Sequence, residues 1–223
     1  MFNMPWIFRG SAILNLKVGV VVLVVSGLLF AMIAVNVMSG NALTLADAQV
    51  AEWLHTHSTP VLTQSLLVLT HLHDPITISF MVVLIALYMI WKKRWYAVAA
   101  IIFVVPGGML LNLLLKDLFH RARPTFEDPL VLLTTYSFPS GHVVATTVFY
   151  GVLAALSISQ NSSSARSAFI LSFAFAMVIL VAFSRVYLGA HFLSDVLAAF
   201  LEGIAWLAFC LIAIRIYRIY HKQ

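Results

Sequence analysis

Charge is scarce in this sequence: only 9% of its residues are Asp, Glu, Lys or Arg. A water-soluble domain of 223 residues could not keep a 62% hydrophobic content in water behind so thin a polar cover. Cysteine is nearly missing as well. The single one, Cys210, lies in an apolar run near the C-terminus, which excludes an intrachain disulfide and leaves the redox compartment unmarked. Internal repeats and low-complexity tails are absent, and residues 1–223 read as one membrane-embedded domain.

What is present is a mean hydropathy of +1.01 and a net charge of +5 at pH 7. A basic balance suits nucleic acid, but lysines and arginines flanking membrane spans account for it, so no nucleic-acid partner is expected. A helix crossing about 30 Å of hydrocarbon needs about 20 apolar residues. Spans are read at 18–38, 75–91, 95–115, 143–159, 167–187 and 192–214. The second and fourth are short and are expected to extend into protein-covered polar segments. The first is too long for the apolar core of a signal peptide, and no soluble domain follows it.

Between the first two spans, "LTLADAQVAEWLHTH" places Ala46, Val50, Trp53 and Leu54 at helical spacing, with Asp47 and Glu52 on other faces. It is too short and too charged to cross, which predicts a helix lying in the interface. Pro106-Gly107-Gly108 predicts a bend in the third span, and "SQNSSSARS" a polar loop. The expected fold is all-α: a polytopic six-transmembrane-helix bundle with a short interfacial helix between spans 1 and 2.

Basic residues orient the bundle. With the N-terminus inside, Arg9, Lys17, Lys92, Lys93, Arg94, Arg166, Arg215, Arg218 and Lys222 fall on the cytoplasmic side. Lys116, Arg121, Arg123 and Arg185 fall on the other. The sequence thus predicts an integral inner- or plasma-membrane protein with both termini cytoplasmic, and a functional site on the periplasmic or extracellular side.

Three polar clusters interrupt the spans, all on that outer side: "KDLFHRARP", "FPSGHVVAT" and "SRVYLGAHFLSD". Lys116, Arg123 and Arg185 supply cations, and arginine forks match phosphate oxygens. Ser140 is a good N-cap, and Gly141 lets backbone approach a ligand, so the amides at that helix start would face an anion. His142 stands in the first turn beside it. His191 and Asp195 are one helical turn apart, so the carboxylate can fix the imidazole tautomer and leave the other nitrogen nucleophilic.

These features predict phosphoryl transfer. His191 attacks phosphorus, forming a phosphohistidine, while Asp195 orients it. His142 protonates the leaving oxygen and then activates water. Lys116, Arg123, Arg185 and the Ser140–Gly141 amides stabilise the equatorial oxygens. Fixed cations fill the role of Mg²⁺, so no metal or other cofactor is expected. One neutral and one protonated histidine imply a bell-shaped pH profile.

Lys116-x6-Arg123-Pro124, Pro139-Ser140-Gly141-His142 and Ser184-Arg185-x5-His191-x3-Asp195 resemble the three signature motifs of the type 2 phosphatidic acid phosphatase superfamily. The resemblance covers roughly the whole chain, with no departure at a motif position. It implies a six-helix membrane fold and the same roles: Lys116, Arg123, Ser140, Gly141 and Arg185 on phosphate, His142 as acid, His191 as nucleophile and Asp195 as its partner. Size and layout look most like the bacterial phosphatidylglycerophosphatase and undecaprenyl-diphosphatase branch. The implied substrate is a lipid phosphate or pyrophosphate drawn from the membrane lipids. Passing the phosphoryl group to a lipid acceptor, or non-catalytic lipid or anion transport, are the alternatives. Protein partners are not indicated.

Other polar residues carry two readings each. Arg121 lies outside the motifs and is either a headgroup contact or a boundary charge. Asn112 either holds Lys116 or satisfies a helix contact, and Glu202 is either protonated within the bundle or part of a substrate pocket. "HLHD", His71 to Asp74, contains metal-ligand types. However, residues two apart on a helix face apart, and Asp74 before Pro75 is a helix start. Trp6, Trp91 and Trp95 read as interfacial anchors.

Overall fold

The structure is a computed structural model describing residues 12–131, 133–158 and 163–220. Trp6, Arg9, Lys222 and residues 159–162 of the "SQNSSSARS" linker lie outside these residues. Eight helices follow one another: α1 (Ala12–Met38), α2 (Ala42–Thr56), α3 (Pro60–Leu72), α4 (Pro75–Trp91), α5 (Trp95–Phe119), α6 (Gly141–Ser157), α7 (Ser164–Tyr187) and α8 (Leu193–Tyr220). No strand occurs among the described residues, so the all-α expectation holds.

By length and composition, α1, α5, α7 and α8 are each able to cross a bilayer. The second predicted span is the latter half of a pair, α3 and α4, that meets the test jointly but bends by 44° at a short break. Pro75 starts α4 there, and the Asp74 side chain accepts a hydrogen bond from Ile76 N at 2.9 Å. The fourth, α6, is apolar but only 17 residues long. Helix α3 was not anticipated, because Thr63, Gln64 and Ser65 break its apolar run.

Apolar side chains on α1 and α7 face outward: Val21, Leu28, Val35, Phe169 and Phe175 are all more than half exposed. Surface of this kind is compatible with lipid and not with water, and the protein is a multi-pass membrane protein. Trp91 and Trp95 are exposed beside Lys92, whose ammonium sits 4.4 Å from the Trp91 ring, as anchors at a boundary do.

Helix α6 is the centre. Every residue from Val143 to Phe149 is buried, with α4, α5, α7 and α8 packed around it. In lipid there is no water to expel between helices, so association depends on close approach at small residues. A Cβ at Gly151 would lie 2.4 Å from Leu207, and one at Gly203 would lie 2.7 Å from Thr147. The predicted Pro106-Gly107-Gly108 bend has a different role. Helix α5 is assigned as one helix through Pro106, and the two glycines form a notch filled by Trp206, whose indole donates to Val104 O at 2.8 Å.

Helix α2 forms where the sequence placed it, but its inward face differs from the predicted stripe. Asp47 and Ala51 are buried, whereas Ala46 and Trp53 are exposed. The reason is specific: the Asp47 carboxylate accepts hydrogen bonds from Ser194 N at 2.9 Å and from the Ser194 hydroxyl.

Candidate active site

The ends of α5 and α7 and the starts of α4, α6 and α8 meet at one end of the bundle, under the 120–140 connection. Four long-range ties establish this. Lys116 Nζ donates to Tyr136 O at 2.6 Å, and Ser140 N donates to Asp195 O at 3.2 Å. Arg185 Nη1 donates to Thr70 Oγ1 at 2.8 Å, and His142 Nε2 lies 3.5 Å from Asp74 Oδ2.

His191 sits on the turn between α7 and α8 and is 1% exposed. The turn needs Gly189, which has φ +66° and lies so close to the Phe126 ring that an added Cβ would come within 2.7 Å. His191 Nδ1 is 3.5 Å from both Asp195 Oδ2 and Ser137 Oγ, and Ser137 itself donates to Asp195. The carboxylate was expected to face the imidazole, and it does; Ser137 stands beside the pair, as close to the ring nitrogen as the carboxylate is. A proton on Nδ1 faces this acceptor pair. Nε2 then carries the lone pair, 3.2 Å from Arg123 Nη1. Burial pushes the His191 imidazole well below its ordinary value, and Arg123, Arg185 and Lys116 push it the same way. Its resting form is the neutral imidazole.

The cations divide into braced and available. Arg123 donates to Thr135 O, Thr135 Oγ1, Tyr136 O and Ala190 O, so most of its fork is committed to backbone. Lys116 donates to Tyr136 O and Ser137 O, leaving one ammonium hydrogen. Arg185 is 3% exposed, and its Nε has no hydrogen-bond partner. The same holds for the buried Ser140 hydroxyl. Ser140 occupies the N-cap position but does not cap with its side chain, and its amide is taken by Asp195 O. The Ser140 amide, expected to face an anion, is thus occupied, and its hydroxyl is the group left unmet. Buried donors left unmet are costly, and they mark where an anion fits.

Gly141 packs where a Cβ would meet Asn112 Oδ1 at 3.2 Å. Asn112 donates to Pro139 O at 3.3 Å and Glu202 Oε2 at 3.1 Å, bracing the turn before α6 rather than holding Lys116. The "HLHD" histidine His73 spends both ring nitrogens on Leu69 O and Tyr150 Oη, a structural role. The Asp128 carboxylate pairs with His55 at 2.8 Å, and this hydrogen bond holds it below the usual carboxylate range.

A single charged cup thus gathers all eight predicted residues: Lys116, Arg123, Ser140, Gly141, His142, Arg185, His191 and Asp195. The model of the PAP2 superfamily matches residues 95–218, which carry every one of them. The chain belongs to the PAP2 superfamily.

Its relatives in that superfamily include phosphatidylglycerophosphatase B of Bacillus subtilis, 31% identical over 181 residues, or 81% of this chain and 89% of that protein. Undecaprenyl-diphosphatase of Sulfolobus acidocaldarius is 32% identical over 131 residues, 56% of this chain and 58% of that protein. A crystal structure of the transmembrane PAP2-type phosphatidylglycerolphosphate phosphatase from B. subtilis superposes with TM-score 0.79 at 29% identity. It covers 90% of this chain and 98% of that one. The PAP2 fold of this chain therefore extends beyond the matched segment into the residues that precede it. Sequence reasoning missed Asp47, Thr70, Ser137 and Ser194 at this end of the bundle. They join the site by contacts across long sequence separations, for which no spacing rule exists.

Proposed function

We propose that this protein is a lipid phosphatase that hydrolyses a lipid phosphate or pyrophosphate through a phosphohistidine on His191. The observation that carries the reading is the unmet Arg185 Nε and Ser140 hydroxyl in the cup where neutral His191 presents Nε2. His191 Nε2 attacks phosphorus and the bond to the leaving oxygen breaks. His142 protonates that oxygen, then takes a proton from the water that releases phosphate. Asp195, with Ser137, stabilises the charge that grows on the His191 ring. Arg185, Lys116 and the Ser140 hydroxyl bind the equatorial oxygens, with Gly141 allowing close approach, and Arg123 supplies positive field. These cations take the place of a metal.

The substrate is of the phosphatidylglycerol phosphate or undecaprenyl pyrophosphate type, with its tail among the helices. The names of the relatives support this class. Residues 1–223 act as one domain, with both termini cytoplasmic and the cup on the outer side, as the basic-residue asymmetry supports. Purified protein offered a panel of lipid phosphates and pyrophosphates in EDTA is expected to release inorganic phosphate without any added acceptor. Loss of activity in EDTA, or phosphate release only when an acceptor lipid is added, would overturn the metal-free hydrolase.

The pH profile gives a second test. Because burial and three cations weaken proton binding at His191, the imidazole stays neutral below the ordinary value of 6.5. The acidic limb of kcat/KM is expected below that pH. Arg123→Gln removes the nearest cation and should move that limb upward. A wild-type limb at or above 6.5 contradicts the assignment.

A further inference from the structure

Helix α8 begins without a cap of its own. Phe192 precedes it and offers no side-chain acceptor, which would leave the first amides of a buried helix end unmet. Two carboxylates fill the gap. Asp195 reaches back to Phe192 N at 2.9 Å, and Asp47, from the distant helix α2, takes Ser194 N at 2.9 Å. Between them lies Arg121. Its Nη2 donates to Asp47 Oδ2 at 2.8 Å, its Nη1 donates to both Ser194 Oγ and Asp195 Oδ1, and its guanidinium lies 4.4 Å from the Phe192 ring. Asp47 is 1% exposed and Asp195 0%.

One guanidinium shared by two buried carboxylates has little freedom, since any shift unpairs a charge in low dielectric. Asp195 Oδ1 is thereby fixed on Arg121, while Oδ2 is left for Ser137 and the Phe192 amide beside His191. Arg121 therefore points away from the role of headgroup ligand. Asp47 also lies outside residues 95–218, the part matched to the superfamily.

The geometry points to Asp47 and Arg121 as positioning residues: the pair holds the Asp195 carboxylate, and through it the His191 ring, in line with the bound phosphate. This rests on the reading of His191 and Asp195 given under Proposed function. It makes α2 part of the catalytic apparatus.

Asp47→Asn separates cap from charge, because the amide oxygen still accepts from Ser194 N while the charge opposite Arg121 is gone. With phosphatidic acid as substrate, kcat is expected to fall by roughly 100-fold, the order that a misplacement of about 1 Å costs. KM should stay near wild type, while the melting temperature falls because Arg121 loses one of its two buried carboxylate partners. In an Asp195→Asn background, Asp47→Asn should add little, since both act through one carboxylate. Arg121→Lys, which keeps the charge but cannot bridge two carboxylates, should lower kcat without raising KM. It decides the matter if Asp47→Asn proves unstable.

A raised KM with kcat intact would make Arg121 a substrate ligand and overturn the proposal. So would full activity in Asp47→Asn, or losses that multiply in the double variant. Asp195→Asn alone separates the two levels. If it keeps full activity, the catalytic reading itself fails; if it is impaired while Asp47→Asn is not, only the positioning role fails.

Discussion

Turnover on a lipid phosphate is expected to fall by on the order of 10⁴–10⁶-fold in His191→Ala, the scale seen when a covalent nucleophile is removed. The reason is local. Asp195, Ser137 and Arg123 are all aimed at this ring. Binding should survive, because Arg185, Lys116 and Ser140 are untouched, so the variant should retain phosphate-sensitive affinity for lipid. Rapid alkaline quench of wild type with labelled substrate should trap an alkali-stable, acid-labile phosphoprotein that His191→Ala lacks. A variant that still turns over at an appreciable fraction of the wild-type rate would remove the nucleophile from this scheme.

Arg185→Met is expected to cost about 10²–10³-fold in kcat/KM, as the loss of one preorganised donor does. It should not destabilise the protein. Arg185 is buried, donates to the Thr70 hydroxyl, and has an unmet Nε. A cation in that position costs stability until an anion arrives. Methionine keeps the unbranched apolar stem and drops the charge, so the variant's melting temperature should equal or exceed that of wild type. Activity and stability would then move in opposite directions, as expected of a residue kept for binding. A lowered melting temperature accompanying the loss would instead make Arg185 a structural pair with Thr70.

The legible part of the site was legible because each motif is local. Ser140, Gly141 and His142 are contiguous, His191 and Asp195 are one turn apart, and the run of hydropathy places all three clusters at matching helix ends. Hydropathy also predicts α1, α5, α7 and α8 well, since each is long and unbroken. It fails where a polar residue is buried for a partner. The apolar stripe through Ala46, Val50, Trp53 and Leu54 suggested an inward face that Ala46 and Trp53 do not share. The true one centres on Asp47, whose partner Ser194 is 147 residues away. Ser137 is hidden for the same reason: a serine in a loop carries no sign that it will bond a carboxylate beside an imidazole.

Seventeen residues of α6 rise about 25 Å, less than the hydrocarbon thickness of about 30 Å. On the proposed reading, and with the far end of α6 at the opposite boundary, a headgroup that reaches His142 sinks below the level of its neighbours, shedding bulk water while its chains stay among them. Bilayer thickness then becomes a kinetic variable: a thinner leaflet brings the phosphate down to the imidazole at less dehydration cost than a thick one.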